Sequence, residues 1–476
     1  MSEVTKERAG GEAAPRSATS VLAAPRGPWV LLASLAGLAL VGTLELGASP
    51  WPFRPPAVEP TGPLAPLVVA AGGVWDPAIM RAAAVLAGLL VAVAAAVVLI
   101  ARRWRPAVGV LLSVAVALLL LLPGVLLQAG LRQATAPWFH VNDSTYQIEL
   151  AGELVRGGID PYGADYRTSG LERFYTFDGT VDPAIREQEV ALRHLAYFPG
   201  TPLTAAAWGV LPAPFDDYRL LVALASLAAI PAALLFRGPL ELRLAVGAAL
   251  AANPLAIRAA WFGTADAPAM LAAVIAFGLL ARSRFAAAAA ALGAAVLLKQ
   301  FALVAVPFFA AALVMLGASR RDLVRAGGVF SGVVAVGFVP FAIADLGALL
   351  ADTIEYGGAT YRIVGYGLAA LLLEAGLLDD RFGYYPFLPL VALVWLPVTG
   401  LLVRAQLRSG ALWPAAAGFA ASTFLLFFIA RVFMQSYLVW PLAGIAVACL
   451  LAAGGATASA ALTRAPPREQ PPRPAR

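Results

Sequence analysis

Charged side chains are scarce in this 476-residue chain, since only 13% of its residues are Asp, Glu, Lys or Arg whereas 61% are apolar. Soluble globular proteins have about 25% charged residues. The scarcity therefore excludes a soluble enzyme and a disordered protein. The apolar residues form recurring runs, and a helix of about 20 such residues is long enough to cross a bilayer. We expect an all-α polytopic membrane protein.

Cysteine, lysine and histidine are almost absent as well. The single cysteine, Cys449, excludes an internal disulfide and a cysteine-bound metal cluster. Of the 34 basic residues, only Lys6 and Lys299 are lysines. The arginines stand in twos and threes between apolar runs, which is typical of positively charged cytoplasmic loops and not of a nucleic-acid-binding surface. The expected partner is the lipid bilayer, and no nucleic acid.

Twelve apolar runs are candidate transmembrane helices. They are 28–48, 77–101, 106–129, 218–236, 243–261, 265–281, 285–298, 301–318, 326–346, 385–403, 411–430 and 434–453. Segment 198–213 contains three prolines and leaves two interpretations open, a re-entrant or interfacial helix or a further crossing. With the first, the chain crosses about twelve times. A membrane domain, 28–455, then lies between two disordered cytoplasmic tails, 1–27 and 456–476, of which the second is basic and Pro-rich.

A long polar segment, 131–197, interrupts the apolar runs. It contains ten of the 28 acidic residues and both histidines, His140 and His194. Arginine clusters place the preceding turn in the cytoplasm, so this segment is predicted to lie outside. Apolar residues follow a helical spacing from Tyr146 to Val155, and Gly157 ends the pattern. We expect an amphipathic helix at the outer membrane surface, in a loop whose length indicates a functional role.

Asp143 stands at the start of this predicted helix and has two interpretations. Aspartate is a common N-cap residue, because its carboxylate accepts a hydrogen bond from an amide of the first turn. Alternatively, a carboxylate at the membrane–water boundary can deprotonate the hydroxyl of an acceptor. Spacing alone favours the cap, although one residue can serve in both roles because helix N-termini attract anionic groups.

Five short motifs occur in an order that resembles a known family. The motifs are Asp143-x-x-Tyr146, Gly158-Ile-Asp160-Pro161-Tyr162, Tyr197-Phe198-Pro199-Gly200-Thr201-Pro202-Leu203, Asn253-Pro254 followed by Gly263-Thr264-Ala265-Asp266, and Gln435-Ser436-Tyr437-Leu438-Val439-Trp440. Together they resemble the GT-C superfamily of integral-membrane glycosyltransferases, above all bacterial, especially actinobacterial, mannosyltransferases that use polyprenyl-phosphate-mannose.

This resemblance implies a GT-C-like fold with a long first catalytic outer loop in a bacterial plasma membrane. It implies that a sugar, expected to be mannose, is transferred with inversion from a polyprenyl-phosphate carrier to an extracytoplasmic glycan, glycolipid or protein acceptor. Asp143 is then the catalytic residue. The implied substrate-binding residues are Tyr146, Tyr162, Tyr197, Asp266, Gln435 and Tyr437. The sequence has Thr264 and Gly200 where the family pattern has Gln and Pro, and one aspartate at 143 where some relatives have an acidic pair. These departures leave the exact sugar and a need for Mg²⁺ or Mn²⁺ open.

Two basic residues are candidates for binding the donor phosphate. Lys299 lies midway through the apolar stretch 285–318, where an ionisable residue is a functional candidate. If the stretch forms a hairpin, Lys299 lies at its outer turn; the alternative is a lysine that snorkels at a helix end. Arg431 follows an apolar helix on the predicted outer side, where an arginine needs a partner such as phosphate or a carboxylate.

Simple structural roles remain open for the other candidates. Asp266 begins a predicted helix and can be a cap instead of a sugar ligand. Tyrosines on the outer side can belong to the aromatic belt at the membrane interface. The two histidines lack zinc-ligand spacing and cysteine partners. A transporter or lipid flippase also suits many Gly- and Pro-interrupted helices, but no convincing internal repeat supports it.

Overall fold

The computed structural model describes residues 62–70, 121–122, 124–130, 132–133, 141–174, 192–360 and 362–464. The N-terminal tail, the candidate spans 28–48 and 77–101, most of 106–129, His140 and residues 465–476 lie outside the described residues.

The described chain is mostly helical and has almost no strand. Its α-helices are α1 (Ala65–Ala70), α2 (Asp143–Arg156), α3 (Gly200–Trp208), α4 (Tyr218–Ala232), α5 (Leu240–Ala252), α6 (Pro254–Phe262), α7 (Asp266–Leu280), α8 (Phe285–Leu298), α9 (Val306–Met315), α10 (Arg320–Leu350), α11 (Leu368–Glu374), α12 (Phe387–Leu390), α13 (Leu396–Ser409), α14 (Trp413–Ile429) and α15 (Val439–Arg464). Shorter 3₁₀ segments are Leu171–Phe174, Ala233–Leu235, Gln300–Ala305 and Gln435–Leu438, and π-helical segments are Ala351–Thr360 and Val391–Trp395. Two short parallel strands, β1 (Val364–Gly365) and β2 (Val432–Phe433), pair with Val364 opposite Val432.

Several of these helices are long and apolar enough to span a membrane. Within the described residues they are Tyr218–Leu235, Arg320–Tyr356, Phe387–Ser409 and Gln435–Gly455. Five shorter apolar helices accompany them, among them Asp266–Leu280 and Phe285–Leu298. The predicted multi-pass helical membrane protein is therefore confirmed, whereas the count of about twelve crossings is not.

Two predicted boundaries differ from the structure. The run 243–261, predicted as one span, forms two helices that meet at Asn253. The Asn253 side chain accepts the Ala256 N–H at 3.0 Å and so caps α6, while Pro254 has no N–H with which to continue α5. At the other end of the chain α15 continues to Arg464, nine residues beyond the predicted end of the membrane domain at 455.

Helices α8 and α10 run side by side in the same direction. Gly293 of α8 faces Phe330 and Val333 of α10, and further along Gly337 of α10 faces Leu297 of α8. Because α8 and α10 are parallel, the chain between them, 299–319, runs in the opposite direction, from the end of α8 back to the level at which α10 begins. Lys299 therefore lies at the turn of a helical hairpin, at the end of the molecule where α7 begins.

Helix α3 decides between the two interpretations of segment 198–213. It has nine residues, so it is about 14 Å long at 1.5 Å per residue, roughly half the thickness of the hydrocarbon core. It packs against α2, and Gly152 permits the close approach because a Cβ there would lie 2.8 Å from the Ala205 and Ala206 backbone. The segment is too short to cross a bilayer.

Candidate active site

The ammonium group of Lys299 lies in a nearly closed environment at the hairpin turn. Helix α8 ends at Leu298, and Lys299 has an extended backbone with φ −151° and ψ 127° before the 3₁₀ segment begins. The residue is 7% exposed. Its Nζ lies 3.5 Å from Asp266 Oδ1, 4.6 Å from the centre of the Tyr197 ring and 5.4 Å from that of Phe301. The ammonium is thus a buried cation that faces two aromatic rings and pairs with one carboxylate, in a setting where charges interact strongly.

Asp266 is fixed by a second partner, and it does not cap its helix. Ala265 is at the N-cap position of α7, which has no side-chain cap. The Asp266 carboxylate is instead buried, and the indole Nε1 of Trp440 donates to its Oδ1 at 2.9 Å. Asp266 therefore keeps its position whether or not Lys299 stays beside it.

Asp143 is the first residue of α2, and the capping role belongs to its neighbour. The Asn142 side chain accepts hydrogen bonds from the Ser144 N–H at 2.9 Å and from the Ser144 hydroxyl at 2.7 Å. Asp143 Oδ1 also accepts from the Ser144 N–H at 2.8 Å, and the side chain is partly exposed. The carboxylate therefore lies at the N-terminus of α2, the positive end of the helix dipole.

The first turns of α2 contact the loop that leads into α7. The Thr145 hydroxyl donates to the carbonyl of Gly263, three residues before Asp266. Gly263 has φ 77°, the left-handed conformation that ends α6 and that glycine adopts without steric strain. Two residues after Thr145, Gln147 Nε2 donates to the His194 carbonyl at 2.9 Å. These contacts bring Asp143 to the same end of the molecule as the Lys299–Asp266 pair.

Aromatic side chains line the remaining sides of the Lys299 pocket. The Phe301 ring packs edge-on against Tyr437 at 5.0 Å and Trp440 at 6.0 Å. The Tyr197 ring, from the chain just before α3, faces the ammonium. Of the predicted substrate-binding residues, the structure thus brings Tyr197, Asp266 and Tyr437 together around Lys299.

Tyr146 and Tyr162 have partners other than Lys299. Their hydroxyl groups donate to backbone carbonyls of the outer loop and stabilise its conformation. The Tyr146 hydroxyl donates to the Ser169 carbonyl at 3.2 Å. The Tyr162 hydroxyl donates to the Tyr197 carbonyl at 2.8 Å, and its ring packs edge-on against Phe341 at 5.4 Å. Tyr162 therefore positions Tyr197 from behind.

Arg431 and Gln435 lie on the segment that follows α14. The Arg431 guanidinium donates to the carbonyls of Gly383 at 3.1 Å and Arg381 at 3.3 Å, so it pins the loop before α12. Gln435 Nε2 donates to the Tyr366 hydroxyl at 3.3 Å on the exposed side. A phosphate-binding role for Arg431 stays a prediction.

Sequence reasoning missed a histidine–aspartate pair beside the site. His194 Nδ1 lies 2.6 Å from Asp352 Oδ1, and the imidazole stacks on Tyr356 with ring centres 4.7 Å apart. The two residues are 158 positions apart, so no local pattern reveals them. The only local signal for that part of the chain is the clustering of acidic and aromatic residues in segment 347–365.

A buried ion network anchors α2 to α4, and it too lacks a local sequence signal. Arg132 contacts Glu149 at 2.5 Å and Asp217 at 3.3 Å, and Asp217 also pairs with Arg219 at 2.5 Å. Asp217 additionally caps α4 by accepting the Arg219 N–H at 3.0 Å. Together with the Tyr218 N–H, which donates to Glu149 Oε1 at 2.9 Å, these pairs connect α2 to the N-terminus of α4.

The surroundings of Asp160 in the outer loop disfavour the ionised form of its carboxyl group. Burial raises the pKa of Asp160, and the nearby carboxylates of Asp345 and Asp352 raise it further. The Tyr162 N–H donates to Asp160 Oδ1 at 3.0 Å, while Oδ2 is buried and has no hydrogen-bond partner within the described residues. The part of the chain that the structure describes contains no group of three His, Cys, Asp or Glu side chains arranged to hold a metal ion.

The chain was compared with known proteins. No protein-family model matches it. No curated protein matches it either. Two solved structures are similar, both of ArnT from Cupriavidus metallidurans. The one bound to undecaprenyl phosphate has 20% identity and a TM-score of 0.45 over 75% of this chain and 61% of that chain. The apo state has 20% identity and a TM-score of 0.43 over 76% of this chain and 61% of that chain. The chain thus spans less than two thirds of the length of ArnT.

Proposed function

We propose that the protein is an inverting glycosyltransferase that transfers mannose from a polyprenyl-phosphate carrier to a glycan, glycolipid or protein acceptor outside the plasma membrane. The proposal rests above all on one observation. A carboxylate at a helix N-terminus, Asp143, and a buried ammonium, Lys299, lie at the same end of a bundle of apolar helices. The ordered motifs of the sequence support the same class.

The chemistry requires few protein groups. The acceptor hydroxyl oxygen forms a bond to the anomeric carbon, and the bond from that carbon to the phosphate oxygen breaks. The electron pair leaves with polyprenyl phosphate, and the hydroxyl proton goes to Asp143. Since phosphate is a stable leaving group, one base and one cation suffice.

Lys299 is suited to stabilise the leaving phosphate. A donor phosphodiester has one negative charge and the product monoester has up to two, so a fixed cation gains interaction energy as the bond breaks. Asp266 holds the ammonium before the donor binds, and Trp440 keeps Asp266 in position. The donor phosphate then competes with Asp266 for Lys299.

A lipid-linked donor also accounts for where the site lies. The rings of Phe301, Tyr197 and Tyr437 form an apolar-faced wall around the cation. Such a wall accommodates the first isoprene units, and the partly exposed Asp143 lies on the side of the aqueous acceptor. A water-soluble nucleotide sugar would need no such apolar approach.

The test is sugar transfer from synthetic polyprenyl-phosphate-mannose by purified protein in detergent. Asp143→Asn keeps an oxygen for the Ser144 N–H but removes the base, so transfer and slow donor hydrolysis should fall by about 100-fold or more. The matched control is Asp165→Asn, since Asp165 is an exposed loop aspartate paired with Arg167. This variant should keep full activity.

The other outcomes are equally informative. Full activity in Asp143→Asn would remove the mechanism. Donor binding without turnover would point to another sugar or a missing acceptor. If no polyprenyl-phosphate sugar binds, the transporter or flippase hypothesis replaces the enzyme.

A further inference from the structure

The outer end of α10 is irregular. Within the helix, Asp345 has φ −156° and ψ 95°, and its carboxylate accepts the Ala348 N–H at 2.9 Å to restart the helix. The chain then continues as the π-helical segment Ala351–Thr360. Widened turns of this kind are rare and are frequently found at functional sites. Two side chains of the segment, Asp352 and Tyr356, face the outer loop.

Both carboxylate oxygens of Asp352 have hydrogen-bond partners in the surrounding loop. Its Oδ2 accepts the N–H groups of Gly163 at 2.9 Å and Leu195 at 3.1 Å, and its Oδ1 faces His194 Nδ1 at 2.6 Å. The residue is 1% exposed. A carboxylate with two amide donors is fixed as an acceptor, so the third donor must be the imidazole.

This arrangement determines which nitrogen of His194 is available. With Nδ1–H donating to Asp352, the neutral ring presents a lone pair at Nε2. Stacking on Tyr356 fixes the ring plane. The side chain is 26% exposed, and Nε2 has no hydrogen-bond partner among the residues that the structure describes. His194 is therefore an oriented hydrogen-bond acceptor that faces outward.

The oriented imidazole lies close to the proposed donor site. The backbone carbonyl of His194 accepts a hydrogen bond from the side chain of Gln147, which lies one helical turn after Asp143. Three residues further along the chain Tyr197 lies under Lys299, and three extended residues span at most about 11 Å. A molecule that touches His194 is thus adjacent to the position where the donor sugar would lie.

We propose that His194, positioned by Asp352, forms the acceptor subsite and takes a saccharide hydroxyl that does not itself react. Its Nε2 accepts a hydrogen bond from this hydroxyl and so sets which neighbouring hydroxyl reaches Asp143. The inference rests on the proposed function. The bonds made and broken are those given above, and the proton of the reacting hydroxyl still goes to Asp143.

The experiment measures transfer kinetics of the full-length protein in detergent, with polyprenyl-phosphate-mannose as donor and octyl α-mannoside as the acceptor probe. His194→Asn is the informative variant, because the Asn amide N–H can replace Nδ1–H toward Asp352 while nothing replaces Nε2. Loss of one hydrogen bond to a substrate hydroxyl should raise the acceptor KM about tenfold. The donor KM should change less than twofold.

Two further variants separate a binding role from a structural one. Asp352→Asn should raise the acceptor KM as well, with kcat changed much less, because the imidazole loses its fixed tautomer. Arg193→Gln, at the exposed neighbouring position, should match the wild type. A thermal melt of each purified variant checks that it is folded.

The results distinguish the two proposals. If His194→Asn leaves the acceptor KM within twofold of wild type, or raises the donor KM equally, the acceptor subsite is wrong. Donor hydrolysis without transfer to the octyl mannoside would likewise overturn the saccharide subsite while leaving the donor site intact. If the wild type neither binds, hydrolyses nor transfers any polyprenyl-phosphate sugar, the proposed function itself fails.

Discussion

The structural role of the Lys299–Asp266 pair can be separated from the proposed role of Lys299 in binding the donor phosphate. The two side chains are 9% and 4% exposed. Removing one partner of such a buried pair costs about 3–5 kcal/mol, because the other charge stays buried without compensation. Loss of activity in a single variant would therefore be ambiguous.

A double variant resolves this ambiguity. Lys299→Met alone should lower the stability by about 3–5 kcal/mol and abolish donor binding. Adding Asp266→Asn removes the unpaired charge, and its amide oxygen can still accept from Trp440. The double variant should regain most of the stability and still fail to bind polyprenyl phosphate. Thermal melts and binding measured on the same preparations check the prediction. If the double variant binds the lipid phosphate normally, Lys299 is not the phosphate ligand.

The raised pKa of Asp160 predicts that replacing this residue stabilises the protein in a pH-dependent way. A carboxyl group with a higher pKa in the folded than in the unfolded chain stabilises the fold at acid pH, and this contribution is lost as the pH rises through the folded pKa. Asp160→Asn should therefore melt at a higher temperature at neutral pH. Below the ordinary aspartate pKa of about 3.9 the difference should vanish. A lower melting temperature at neutral pH would contradict the electrostatic account.

At the scale of the element, the approach of α2 to α3 depends on Gly152. A methyl group there would press on the Ala205–Ala206 backbone, which has no flexible side chain to yield. Gly152→Ala should therefore lower the stability by about 1–3 kcal/mol. It should also reduce transfer, because Asp143 shifts with its helix.

The matched control is Gly332→Ala on α10, where nothing lies within 4 Å of the added carbon. This change should stabilise the protein by up to about 1 kcal/mol, since glycine disfavours helix interiors. Equal effects of the two variants would show that close packing at Gly152 is unimportant.

Helices were predictable wherever apolar runs ended at strong local signals. Asp266–Leu280 and Phe285–Leu298 match the predicted spans almost residue for residue. The break at Asn253 was visible as Asn-Pro, yet the apolar composition on both sides favoured one long span. Local patterns could not reveal the partners of the site residues. The bond from Trp440 to Asp266 joins positions 174 apart, and such pairings follow from the packing of whole helices.

At the scale of the whole molecule, the proposed orientation can be tested with the single native cysteine left in place. Cys449 is 1% exposed, so it should not react with a membrane-impermeant maleimide. Arg167→Cys, in the loop predicted to lie outside, should be labelled in intact cells. Arg408→Cys, near the end of α13, should be labelled only after permeabilisation. The reverse pattern would place the candidate site in the cytoplasm.

The backbone at Lys299 limits how the site can exchange its contents. The Lys299 N–H donates to Ala295 at 2.9 Å and its carbonyl accepts from Ala302 at 3.1 Å, so helical structure on both sides uses both groups. The main chain cannot follow a bound molecule outward without breaking these bonds. If Lys299 binds the donor phosphate as proposed, only the four methylene groups of its side chain can move between Asp266 and that phosphate. The exchange of partners then requires a change of side-chain rotamer and no change of the main chain at Lys299.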